Sequence, residues 1–147
     1  MSAEYLRHRA ARDGLTHLVV DSGGTLDIDG ATASPEAVRA VKELGLDLSN
    51  HRSKGISSAD LVSADMLIAM SHDHLVELAR RFPEHGGERF LLRAFEKGPV
   101  PDPAARDLED PIGRPIEVYR EQLRIITRCI DHLVLHLKHM GAAPDRA

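Results

Sequence analysis

The sequence predicts an α/β protein with a parallel sheet between layers of helices, and three features predict it. Short apolar runs rich in strand-forming residues, "THLVV", "DMLIAMS" and "ERFLLRAF", alternate with helical segments in the order α-β-α-β-α-β-α. The segment "SPEAVRAVKELG" carries a complete set of helix boundary signals. The last long segment repeats its apolar residues with helical period. Strands joined through helices lie parallel, because the crossover returns the chain to the same end of the sheet, and helices then cover both faces. The expected architecture is three-layer α/β/α, with three strands visible in these residues.

Each element has its own reason. Ser2 to Asp13 places Leu6, Ala10 and Ala11 among arginines and ends near Gly14, which reads as a short helix with a glycine stop. Thr16 to Val20 reads as the first visible strand, punctuated by Gly23 and Gly24. Ser34 is placed to cap the next helix, Pro35 fits its first turn, Ala37, Val38, Val41 and Leu44 form its apolar face, and Gly45 ends it. "SSADLVSAD" has the pattern of one or two helical turns, and "DMLIAMS" of a second strand. "SHDHLVELARRFPE" reads as a helix capped by Ser71 or Asp73 and stopped before Pro83. "ERFLLRAF" reads as a third strand, followed by a proline-rich loop from Gly98 to Pro115. From Pro115 to Met140 a helix sets Ile116, Tyr119, Leu123, Ile126, Ile130, Leu133 and Leu137 on one stripe. Residues 1–140 are expected to form one domain and 141–147 a disordered tail.

Composition narrows the function. The 147 residues carry a formal net charge of −4 and only 3% aromatic residues without tryptophan, so neither the basic face nor the stacking platform of a nucleic-acid binder is expected. No apolar run approaches a membrane span, and the charged N-terminus lacks the apolar core of a signal peptide. A single cysteine, Cys129, rules out an intrachain disulfide framework and fits a reducing cytoplasm. Beside Ile130 in a helix, it reads as a small core thiol. Nine histidines raise the question of a metal. His132, His136 and His139 share one helix face, yet the sequence sets no further ligand against them, so they read as a solvated polar face and no metal or cofactor is expected. His72 and His74 flank a helix cap and read the same way.

Several segments, in order, resemble the low-molecular-weight protein tyrosine phosphatase family, with its related arsenate reductases and protein-arginine phosphatases. "AEYLRHRAARDGL" resembles the helix after the family's phosphate loop. "DSGGTLDIDGATASPEAVRAVKELGLDLSNHRSKGIS" resembles the end of its second strand, the helix that follows and its "DLSxHRS" turn. "ADMLIAMSHDHLVEL" resembles its third strand and helix, and "DLEDPIGRPIEVYREQL" the loop before its last helix. The resemblance implies a cysteinyl-phosphate mechanism with Asp110 as the general acid, its loop stiffened by Pro111. Asp102, also followed by proline, and Asp107 are rivals in the same loop. Ser22 falls where the family supports its phosphate loop; a turn serine bonding its own backbone is the equal alternative. Gly23-Gly24 alone is too little to assign a phosphate turn.

These residues hold no cysteine followed five positions on by arginine: five residues after Cys129 stands Val134. In the family order 2-1-3-4 the central first strand carries that signature at its end, so the visible strands correspond to the second, third and fourth. Omitting the central one opens a slot of about 10 Å, two inter-strand spacings. The expectation is that the missing strand and phosphate loop lie upstream of Met1. A remnant that closes the gap, self-associates or accepts a strand from a partner is the alternative. Implied substrates are phosphoproteins or small phosphomonoesters. Ile112-Gly113 replaces the tyrosines that wall a phosphotyrosine pocket, which argues against phosphotyrosine and leaves phosphoarginine or a phosphate monoester open. A non-catalytic binding protein on the same scaffold is the second functional reading. Arsenate reduction, which needs a relay of further thiols, ranks last.

Overall fold

In a computed structural model of the chain, residues 1–98 and 103–141 are described. The elements are α1 (Ser2–Arg12), α2 (Pro35–Lys42), α3 (Ser58–Val62), β1 (Met66–Ala69), α4 (His72–Arg81), β2 (Glu88–Leu91) and α5 (Ile116–Gly141), with 3-10 turns at Leu92–Phe95 and Pro103–Arg106. The expected caps on α2 and α4 form, and α3 has one that the sequence reading did not name. The Ser34 hydroxyl accepts from the Ala37 N–H and caps α2. Ser57 and Asp60 form a reciprocal capping box on α3. The Ser71 hydroxyl accepts from the His74 N–H at the start of α4.

β1 and β2 pair in parallel, with Met66 opposite Glu88 and Ala69 opposite Leu91. Ile68 packs with Leu92 and the α5 residues Ile126, Cys129, Ile130 and Val134. Strand alternation sends Leu67 and Ala69 to the other face, where α4 packs on both strands. α1 and α2 also pack on α5. The sheet therefore lies between a layer of α1, α2 and α5 and a layer containing α4, the α/β/α arrangement expected.

Two strand expectations are corrected. Thr16 to Val20 forms no strand: Leu18 closes a turn onto the Leu15 carbonyl at 3.2 Å, and Val19 is 92% exposed. A strand exists only by pairing, and among the described residues no neighbouring strand offers a ladder to this run. The run is held instead at one point, where Arg7 Nε of α1 donates to the Val20 carbonyl at 3.2 Å. Among the described residues the sheet thus has two strands, not three. "ERFLLRAF" is a strand only to Leu91; Leu92–Phe95 then winds into a 3-10 turn that buries Leu92 against α5.

The core follows the stripe of α5. Tyr119 and Leu123 join Ala37, Ala40, Val41 and Leu48 in one cluster. Ile126, Cys129, Ile130 and Val134 form a second with Leu92. Leu137, expected on the stripe, is only partly buried, whereas Cys129 and Val134 are fully buried. Residues 142–147, most of the expected tail, lie outside the described residues. Ile130→Ala is expected to destabilise the fold by about 2–5 kcal/mol in denaturant unfolding, since it leaves a cavity in this cluster. Val19→Ala, at a solvent-facing site, should change stability by no more than about 0.5 kcal/mol.

Candidate active site

In a parallel sheet the carboxyl ends of the strands face one way, and the loops there collect chemistry. β1 ends at Ala69, and three pieces of chain meet just beyond it. Ser2, in the first turn of α1, sets its Oγ 3.8 Å from Met70 Sδ. The Met70 carbonyl accepts from the Leu108 N–H at 2.8 Å. Leu108 also packs against the Leu92–Val134 cluster. The loop that carries Asp110 is thus fastened two residues upstream of the aspartate, at the end of β1 and next to the start of α1.

Asp110 itself is exposed. Its Oδ1 accepts from the Ile112 N–H at 3.1 Å, an Asx-type turn, and the Arg114 N–H donates to the Pro111 carbonyl at 2.9 Å to close the next turn. Gly113, at φ 73°, supplies the left-handed step between them. Asp110 Oδ2 has no hydrogen-bond partner among the described residues. Of the rivals, Asp107 is engaged: its Oδ1 accepts from the His72 N–H at 2.8 Å and meets His72 Nδ1 at 2.7 Å. Asp102 lies outside the described residues.

Ser22 is exposed. Its N–H donates to its neighbour's Asp21 Oδ1 at 2.8 Å. Asp21 Oδ2 accepts from Lys54 Nζ at 2.6 Å, and the same ammonium donates to Asp60 Oδ1 at 2.8 Å. The Lys54 ammonium and the Ser57 hydroxyl and N–H hold the Asp60 carboxyl well below the usual carboxylate range. The two carboxylates in turn raise Lys54 above the usual lysine range. The neighbouring glycines serve packing: Gly24 exchanges backbone bonds with Lys54 and Ile56, and a Cβ on Gly23 would stand 2.7 Å from Ile56 Cγ1. Both expected site residues are therefore tied to the first two turns of α1, Ser22 through the Arg7–Val20 contact and Asp110 through Met70.

One residue near this end was not singled out as a candidate. His51 is half-buried, and burial lowers its basicity, with the positive charges of Arg7 and Arg52 adding to the effect. Arg52 Nη1 donates to the His51 carbonyl at 2.7 Å and to that of Ser49 at 3.2 Å. The "DLSNHRS" turn was legible as a unit, but nothing in it signalled that its histidine lies in the field of Arg7, 44 positions away in the chain. The α5 histidines are occupied otherwise. His132 Nδ1 lies 3.1 Å from the Phe95 carbonyl, His139 Nδ1 lies 2.6 Å from that of Leu135, and His136 stacks at a tilt on Phe95. No group of three metal-ligating side chains is assembled among the described residues. No described helix is long and apolar enough to cross a membrane.

The class this fold defines is an α/β/α protein with its candidate chemistry on loops beyond the carboxyl ends of parallel strands. The family model for low molecular weight phosphotyrosine protein phosphatase matches residues 1–143. A protein-arginine-phosphatase of Geobacillus stearothermophilus is 33% identical over 81% of this chain and 76% of its own. A probable low molecular weight protein-tyrosine-phosphatase, EpsP, of Ralstonia nicotianae is 27% identical over 88% of this chain and 84% of its own. Among solved structures, the YwlE arginine phosphatase from Geobacillus stearothermophilus superposes with a TM-score of 0.83 and 29% identity, covering 99% of this chain and 88% of that one. The low molecular weight protein tyrosine phosphatase from T. tengcongensis does so at 0.80 and 30%, covering 92% and 88%. The chain belongs to the low molecular weight phosphotyrosine protein phosphatase family.

Because folding lowers the proton affinity of His51, protons favour the unfolded chain. Its linkage term leaves stability undiminished above the ordinary histidine value, about 6.5, and reduces it as pH falls through that value. His51→Gln should flatten the dependence of the denaturation midpoint on pH between about 7 and about 5. An unchanged pH profile would place the imidazole outside this electrostatic cluster.

Proposed function

We propose that this chain supplies the scaffold and the general acid of a phosphomonoester hydrolase that works through a cysteinyl-phosphate, with Asp110 as the acid and Ser22 supporting the phosphate loop. The observation that carries the reading is the fastening of the Asp110 loop to Met70, next to the first turn of α1. A helix N-terminus favours a phosphate dianion, and a carboxylic acid beside it can protonate the departing ester oxygen. In the reaction a thiolate attacks phosphorus, the S–P bond forms as the P–O bond breaks, and Asp110 gives its proton to the leaving oxygen. Water then attacks phosphorus, Asp110 takes back a proton, and the thiolate departs from inorganic phosphate.

The attacking thiolate has no candidate in these 147 residues. Cys129 is 0% exposed in the middle of α5, and burial pushes its thiol up to about 11. The residues as given are therefore expected to be inactive until a C-x5-R segment is supplied. For the substrate we favour a phosphoprotein carrying phosphoarginine, a phosphoramidate, in which the P–N bond breaks in place of P–O and Asp110 protonates the departing guanidine nitrogen. Ile112, 74% exposed and two residues from Asp110, stands where a tyrosine wall would favour phosphotyrosine, and relatives of this chain are named arginine phosphatases. The second reading is a non-catalytic phosphatase-like binding protein, which cooperative folding of the 147 residues alone would favour.

The test is an assay on p-nitrophenyl phosphate of this chain beside a form extended upstream, in frame, by an apolar strand and C-x5-R. Turnover by the extended form alone is expected. Robust turnover by the 147 residues would refute the mechanism, and inactivity of both, with cooperative folding retained, would favour the binding protein. In the active form, Asp110→Asn should lower kcat/KM, which reports formation of the cysteinyl-phosphate and not its shared hydrolysis, by roughly 10²–10⁴-fold on phenyl phosphate and by much less on p-nitrophenyl phosphate, because the better leaving group needs no proton. An equal, small effect on both substrates would remove Asp110 from the role.

A further inference from the structure

The segment leading to Asp110 is held from three directions. On one side the Leu108 N–H donates to the Met70 carbonyl at 2.8 Å. On another, Arg93 of the Leu92–Phe95 turn donates through Nη1 to the Ala105 carbonyl and, at 3.3 Å, to that of Asp107. Arg93 is itself aimed by Glu96, which accepts from its Nε at 2.8 Å. The third hold is the only one made by a titratable side chain of α4. The His72 backbone N–H and ring Nδ1 converge on the same oxygen of Asp107, at 2.8 and 2.7 Å. His72 is the first residue of α4, so Asp107 joins the acid-bearing loop to the helix that leaves the carboxyl end of β1.

We propose that His72 is a positioning residue, which acts through Asp107 to hold the Asp110 turn at the end of β1. This rests on the reading of Asp110 as the acid. The geometry favours such a role over simple surface pairing. Asp107 is one residue from the amide that docks on Met70 and three from Asp110, so release of His72 frees the root of the acid's own turn. The charged groups facing Asp107 are those of α4 and the neighbouring turn: His72, His74 and Arg93. The pair is near 45% exposed on both sides, so it adjusts a local equilibrium and does not decide whether the domain folds.

The experiment is residue-resolved amide hydrogen exchange on the 147-residue chain. Two amides report directly: Leu108, which donates to Met70, and Ile112, which donates to Asp110 Oδ1. In His72→Ala both should exchange roughly two- to fivefold faster, the range expected for a half-exposed ion pair, while Ile130 in α5 stays unchanged. Asp107→Ala should loosen both amides at least as much, and adding His72→Ala to it should change nothing further. His72→Lys, which keeps a side-chain donor opposite Asp107, should return the rates toward wild type. Unchanged rates in His72→Ala, a response at Leu108 without one at Ile112, a matching rise at Ile130, or additive effects in the double variant would each overturn the proposal. Failure of Asp110→Asn to affect catalysis in the extended form would instead remove the acid assignment and leave these exchange rates where they are.

Discussion

Helix α5 presents one apolar stripe to two separate clusters, and the other elements are arranged by which part of that stripe they cover. Its first half buries Tyr119 and Leu123 against α2 and Leu48. Its second half buries Ile126, Cys129, Ile130 and Val134 against Leu92, with Ile68 of β1, Leu108 of the acid loop and Tyr5 and Leu6 of α1 packed around them. Apolar burial at about 25 cal/mol per Å² is the largest favourable term available to a chain of this size. A two-stranded ladder of four residue pairs cannot organise it alone. Polar contacts then refine placements that the stripe has already made. Tyr5 and Arg9 of α1 both reach Asp131, at 3.0 and 2.8 Å, and fix the rotation of α1 on α5.

This dependence explains how a candidate acid can be held in place although the sheet is narrow. Leu108 belongs to the same cluster as Ile68 and Leu92, so the loop is anchored by burial before its hydrogen bonds are counted. The bonds from Met70, Arg93 and His72 then restrict it from the strand, the 3-10 turn and α4 in turn. Asp110 stands beyond the last of these ties, oriented by its own Asx turn and the turn that follows it. Such an arrangement combines a rigid root with a solvated tip, which suits a group that must exchange protons with water.

The helices were legible because their signals are local. Ser34 with Pro35, and Ser71, act within three residues of themselves, and the α5 stripe repeats over many turns. The strand at Thr16 to Val20 was misread for the complementary reason: β-branched composition reports fitness for a sheet, whereas a strand forms only where another backbone lies alongside. The continuation of β2 past Leu91 failed differently, since an apolar run carries no mark of where it leaves the ladder and Leu92 is buried either way. In the loop, the residue pattern separated Asp110 from its rivals only through a family likeness. The physical distinction, that Asp107 is already engaged, depends on His72, which lies 35 positions away. Contacts of that range leave no trace in one sequence.

The unpaired run and the fastened loop together describe how the two halves of such a site depend on each other. Val20 is reached by Arg7 and Met70 by Ser2, so the start of α1 touches both the run before the Gly23-Gly24 turn and the end of β1. These contacts come from residues in the first two turns of one helix, and they hold without a ladder between the two segments. The network of Lys54 with Asp21 and Asp60 fixes the Ser22 turn to the segment that leads into α3, and Arg81 of α4 adds bonds to the Thr25 and Ile56 carbonyls at 3.1 and 3.0 Å. Among the described residues, the surroundings of the proposed site are therefore organised by helix packing and by ion pairs between loops. Nothing in that organisation draws on Cys129, which sits inside the α5 cluster with its sulfur removed from solvent.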